Sequence, residues 1–351
     1  MCISFGRSGW LRRVYLLSTG AAGQKDRKRY ASRRLSFYHA PMRILPLVVV
    51  FGGVVATCSI PLAAQWPKYQ EAGVPRDAEG RVRMDAPPPK TPDGKPDLSG
   101  VWMRADRDPL PPELAGLFER RGDQAGRGNR PPIDAGERVM APFPPDPTAP
   151  PLATFFELGA NIPGGLPLTP WAAELKKQRM ATDDRDNPDA NCMPMGFPQF
   201  HMQPQPRKIV QTPSVIVILY EANYGLRYIY TDGRKLPSQG DVLPWWYGYS
   251  VGRWEGDTLV VETNNLRGAE DGPYDGWLDV RGSPYSEQAR ITERFRRPIF
   301  GKLEIDFTIE DAKAYTKPVT VRINQRVLVD EEPIEFVCNE NQQFRRRVKV
   351  D

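Results

Sequence analysis

The chain has 351 residues, with 48 Lys/Arg against 43 Asp/Glu and a formal net charge of +5. Ten of those bases and one of those acids fall in residues 1–65, so the remainder carries 38 bases, 42 acids and a net charge of −4. That balance leaves no basic footprint for a nucleic-acid partner.

Residues 1–41 are basic and without periodic pattern, and are read as an upstream extension from a mis-assigned start. Residues 42–65 begin with Met42 and Arg43, continue through an apolar run and end near Ala63 and Ala64. This is the layout of a signal peptide. It implies a periplasmic or secreted protein with no stable membrane insertion once the signal is cleaved. Cys2 and Cys58 lie in the leader, which leaves Cys192 and Cys338. Two cysteines in an exported chain suggest one disulfide.

Residues 66–150 read as a Pro-rich arm, partly disordered. Segments such as APPPKTPDGKPD (86–97) and MAPFPPDPTAPP (140–151) cannot supply central strands or helix interiors. One strand is expected near 98–102 (LSGVW), and a short helix after Pro111-Pro112. Residues 151–207 read as loop plus one good helix in LTPWAAELKKQRMA (168–181), capped by Thr169 with Pro170 in the first turn. His201 falls in a Pro-bounded loop.

From 208 to 345 the pattern becomes a β domain. Short runs rich in β-branched and aromatic residues follow one another: KIVQTP, SVIVILYEA, GLRYIYTDG, WWYGYSVGRW, DTLVVETNN, ARITERFRR, KLEIDFTIED, VTVRINQRV and IEFVCNE. Turn pairs at Asp232-Gly233 and Gly256-Asp257 suit antiparallel hairpins. The expected fold is mainly β: an antiparallel up-and-down barrel, lipocalin-like, or a sandwich, with one or two short helices.

Several positions invite a chemical role. GYSVG (248–252) matches the serine nucleophile elbow, but that turn requires a following helix and a later histidine. A strand follows Ser250 and no histidine follows residue 201, so Ser250 is not expected to be a nucleophile. The aromatic cluster around it is a better candidate. Trp246, Tyr247, Tyr249 and Tyr228, with Arg253 and Arg227, are expected to bind a small, partly apolar or aromatic ligand. Glu293 shares a face with Ile291 and Phe295, which makes it an inward carboxylate in need of Arg227 or Arg253 as a partner. Glu293 and Asp279 are the candidate acid/base groups. Asp183, Asp184, Asp186 and Asp189 lack the glycine and terminal glutamate of a calcium loop, and one histidine cannot build the usual zinc site. Neither metal nor cofactor is expected.

The ordered blocks together resemble a family of exported, β-rich proteins of environmental bacteria. The blocks are TPDGKPDLSGVW (91–102), CMPMGFP (192–198), YTDGR (230–234), GYSVGRWEGDTLVVET (248–263), SEQARITERFRR (286–297), LEIDFTIEDAKAYTKPVTV (303–321) and EFVCNEN (335–341). The resemblance implies a secreted single β domain and carries no reaction with it. Relatives often place histidines in the turn before the Ser-Glu block, where this chain reads Gly282-Ser283-Pro284-Tyr285-Ser286, and after the YTDGR block, where it has Leu236. Three functions are therefore open: binding a small molecule in a β pocket, a lyase, isomerase or hydrolase using a carboxylate, or surface interaction through the Pro-rich arm.

Overall fold

In the computed structural model, residues 70–105 and 146–338 are described. The expected leader, the helix expected after Pro111 and residues 106–145 lie outside them. Nine strands form one closed barrel in chain order: β1 (Gly100–Arg104), β2 (Arg207–Gln211), β3 (Val215–Tyr220), β4 (Gly225–Tyr230), β5 (Tyr249–Glu255), β6 (Thr258–Asn264), β7 (Arg290–Ile299), β8 (Lys302–Glu310) and β9 (Val319–Leu328). The mainly β barrel expected from the alternating pattern is present, and the sandwich alternative is excluded by closure. Among the described residues, two α-helices accompany it, α1 (Pro170–Ala181) and α2 (Gln199–Met202). Thr169 caps α1 by accepting from the Ala172 amide, with Pro170 at the start, as the sequence indicates.

Period-two alternation explains which way the strands face. On β8, Leu303, Ile305, Phe307 and Ile309 are all fully buried, and each such side chain removed from water contributes about 1.5–3 kcal/mol. On β7, Ile291, Glu293 and Phe295 point the same way. The loop between β5 and β6 is the two-residue Gly256-Asp257 turn, since Glu255 pairs with Thr258 and Gly256 has φ +60°. A glycine at that place suits the twist of a tight hairpin.

Three details depart from the sequence pattern. First, β4 and β5 pair in parallel, so Asp232-Gly233 opens a long connection through residue 248 rather than a hairpin. Residues 245–248 are outside β5; Trp245 makes only an isolated bridge to Leu266. Second, IEFVC (334–338) is not a strand. The ninth place belongs to β1, whose Trp102 pairs with Arg207 on one side and Val327 on the other. Third, residues 70–98 are a built part of the domain. Arg76 pairs with Asp330 at 2.6 Å, and the backbone amides of Phe300 and Gly301 donate to the carbonyls of Ala86 and Met84 at 2.7 and 2.9 Å. Prolines prevent strand pairing there but leave carbonyls free to accept.

Cys192 and Cys338 are bonded, with S–S 2.07 Å and Cα–Cα 5.6 Å. The bond ties the segment that leads into α2 to the end of the described chain.

Candidate functional site

The barrel is apolar along most of its length and polar where α2 enters it. All four residues of α2, Gln199, Phe200, His201 and Met202, are at most 1% exposed. The preceding Phe197 lies 6.3 Å from the inward ring of Phe307, so this segment fills the lumen. Polar groups reach it from six strands: Arg207 from β2, Arg227 from β4, Ser250 from β5, Thr263 from β6, Glu293 from β7 and Gln325 from β9.

Arg227 and Glu293 sit on strands separated by two others, and they meet across the lumen. The guanidinium grips both carboxylate oxygens, donating from Nη1 to Oε1 at 3.1 Å and from Nη2 to Oε2. It also donates from Nε to Ser250 Oγ at 3.3 Å and from Nη2 to Thr263 Oγ1 at 3.2 Å. His201 Nε2 lies 2.8 Å from Glu293 Oε1. Burial lowers the His201 pKa to about 4 despite the carboxylate beside it, so the ring is neutral at pH 7. Neutral imidazole donates from one nitrogen only; Nε2–H therefore serves Glu293, and Nδ1 keeps its lone pair. For Glu293, burial alone would raise the pKa. Arg227 and the His201 hydrogen bond outweigh burial and hold it at about 2.

A carboxylate so held stays ionised and keeps its proton-accepting oxygens occupied. Glu293 thus orients His201, and the nitrogen with an open lone pair is His201 Nδ1, which has no partner. The hydroxyls of Tyr220 and Tyr247 and the amide group of Gln199 are likewise buried without partners. These side chains are neighbours: the Phe200 ring lies 4.5 Å from His201, 4.9 Å from Tyr220 and 5.1 Å from Tyr247. Both phenols are raised above their ordinary pKa by burial, so they remain donors.

The residues singled out from the sequence divide between the two faces of the wall. Glu293, Arg227 and Tyr247 come together in the lumen. Tyr228, Tyr249 and Arg253 do not join them. Tyr228 is 42% exposed, Tyr249 accepts from Arg234 at 3.0 Å on the outside, and Arg253 pairs with Glu262 at 2.5 Å in solvent. The reason is alternation: Arg227 and Ser250 point inward, so their chain neighbours Tyr228 and Tyr249 point out. Trp246 is half-buried under Arg267, 4.4 Å from its ring. Asp279 is fully buried elsewhere, where its two oxygens accept from the amides of Leu158 and Ser283 at 2.9 and 3.1 Å. It shapes loops, and the charged groups near it are Arg179, Asp184 and Lys176 rather than those of the lumen.

Ser250 is an inward strand residue, hydrogen-bonded to Thr263 Oγ1 at 2.8 Å and to Arg227 rather than to a base. The glycines of GYSVG serve packing. A Cβ on Gly248, at φ +61°, would stand 2.6 Å from Thr263 Cγ2.

Three surface clefts of about 290, 460 and 480 Å³ are lined by described residues, and none includes Arg253. The 460 Å³ cleft reaches Tyr220 and Gly225, and a Cβ on Gly225 would come 2.4 Å from the Tyr247 hydroxyl. Among the described residues, no three His, Cys, Asp or Glu side chains are grouped to hold a metal ion, and no helix is long and apolar enough to cross a membrane.

No protein-family model, curated protein or solved structure matches the chain.

Proposed function

We propose that this is an exported protein that binds a small, partly aromatic molecule at the α2 end of the barrel. Tyr220, Tyr247 and His201 meet its polar groups, and Phe200 meets its apolar part. One observation carries this: the Tyr220 and Tyr247 hydroxyls and His201 Nδ1 are buried without partners around a single ring. Buried polar atoms are nearly always paired, and each orphan costs about 1–3 kcal/mol. A ligand with one donor and one or two acceptors would relieve all three together. The Cys192–Cys338 bond suits an oxidising compartment and supports export.

The open lone pair on His201 favours a second role for the same site. An imidazole oriented by a fixed carboxylate is the arrangement of a general base. In an enzyme of this design His201 would take the proton, and Glu293 would hold the ring.

Native mass spectrometry of the protein purified from its own host tests the binding role; a bound small molecule of discrete mass is expected. Tyr247→Phe keeps the ring and removes the donor. It should weaken that ligand by about tenfold while thermal stability holds or rises. A protein that carries no ligand, and whose stability responds to none in a broad small-molecule screen, would refute the proposal.

A further inference from the structure

Three buried arginines in this protein spend their donors on backbone carbonyls. Arg179 donates to the carbonyls of Gly276, Gly282 and Asp275. Arg297 donates to those of Phe300, Asp97 and Ser99. Arg207, inward on β2, donates to those of His201, Gln203 and Gln205. Carbonyl dipoles solvate a guanidinium but do not cancel its charge.

Burial lowers the pKa of all three guanidinium groups to about 10, but the first two have carboxylates nearby. Asp279 and Asp184 lie close enough to Arg179 to favour its charged form, and Asp97 and Glu71 do the same for Arg297. Each also sits over a tryptophan, Arg179 over Trp277 at 4.2 Å and Arg297 over Trp102 at 4.8 Å. Arg207 differs. It is 1% exposed, no carboxylate among the described residues pairs with it, and Arg104 opposes its charge. The one carboxylate in the lumen, Glu293, is taken on both oxygens by Arg227. With His201 neutral, the described residues supply no counter-charge to Arg207. Burying such a charge is unfavourable unless a counter-charge is supplied.

Both donors and acceptors lie unpaired around Arg207, the acceptors being Gln205 Oε1 and Gln325 Oε1. The Nε of Arg207 has no partner. Tyr220, whose hydroxyl also lacks one, is its direct register neighbour on β3.

We propose that the ligand of the barrel-end site is a small organic anion, an aromatic or short aliphatic hydroxy-monocarboxylate, whose charge is matched by Arg207, whose carboxylate oxygens accept from Arg207 Nε and the Tyr220 hydroxyl, and whose own hydroxyl donates to His201 Nδ1. This rests on the binding role proposed above and names its ligand class. The carboxylate completes the charge balance of the lumen, and the ring or alkyl part packs on Phe200 and Tyr247.

The test compares two probes of one shape, p-hydroxybenzoate and p-hydroxybenzamide, with glycolate as the short member. Titration calorimetry and thermal shift of the full protein at pH 7 are the readouts. The carboxylates are expected to bind at least about tenfold more tightly than the amide, the yield of one charge-assisted hydrogen bond over a neutral one. Arg207→Gln should abolish that preference. Because Arg207 also holds three carbonyls, Tyr220→Phe is measured beside it. This variant keeps the packing and should lose about tenfold in carboxylate affinity without loss of melting temperature. If the amide binds as tightly as the carboxylate, the anion assignment falls and the binding role stands. If no probe binds at millimolar concentration and no ligand co-purifies, both fall.

Discussion

Glu293 shows how much one residue can be read from its strand and how much depends on its surroundings. Its inward position follows from Ile291 and Phe295 on either side, and its need for an arginine follows from electrostatics alone. That the arginine is Arg227 is decided by the lumen, where the partner reaches across two intervening strands. Removing the charge, as in Glu293→Gln, leaves Arg227 buried and uncompensated. We expect a loss of about 3–5 kcal/mol in urea unfolding; a loss under about 1 kcal/mol would mean the pair is solvated. The acid response has a definite sign. Folding lowers His201 from 6.5 to about 4 and Glu293 from 4.5 to about 2. Both folded values lie below the unfolded ones, so the unfolded chain takes up the extra protons and stability rises with pH. The His201 contribution is complete above pH 6.5 and is lost as pH falls through about 4; the Glu293 contribution is complete above pH 4.5 and is lost on the way to about 2. Stability measured from pH 7 to 4 should therefore decline in the wild type and less in His201→Gln. A flat wild-type profile would contradict a neutral buried His201.

At the scale of elements, β1 and α2 carry the information that local pattern hides. β1 is five residues long, isolated in a Pro-rich region and more than a hundred residues before its partner β2. It nevertheless closes the barrel, since β2 and β9 have no other neighbour on that side. Deleting residues 70–105 would expose two unpaired edges, and such edges template association between chains. We expect this truncation to run as aggregates in size-exclusion chromatography; a stable monomer would show that β2 and β9 can close without β1. α2 is four residues long, too short to show helical periodicity. Its histidine lies among prolines, which reads as loop chemistry. Only a contact with a residue 92 positions away gives it a role. One available signal was missed. Arg227 and Tyr228 are consecutive in a strand and cannot share a face, so placing both at one site was already excluded by the pleat.

For the molecule as a whole, the disulfide is a covalent constraint that closes a separation of 146 residues. On the chain-entropy account a loop of that size contributes about 4–5 kcal/mol through the unfolded state. Reduction, or Cys192→Ser with Cys338→Ser, should lower the urea midpoint by a corresponding amount. An unchanged midpoint would assign the bond no share of stability. The sequence by itself determined the class of fold, the inward faces of β7 and β8, the Gly256-Asp257 hairpin, the helix after Thr169 and the pairing of Cys192 with Cys338. These depend on side-chain periodicity, turn geometry and composition, which act over a few residues or over the chain as a count. The tertiary structure alone decided that β1 closes the barrel, that β4 and β5 run parallel, and that His201 joins Arg227 and Glu293 while Arg253, Tyr228 and Tyr249 stay outside. Those outcomes depend on which distant segments fill one lumen, and a lumen has no signature in any single stretch of chain. GYSVG belongs to both accounts: its strand is legible locally, and its serine's partner, an arginine on the adjacent strand, is not.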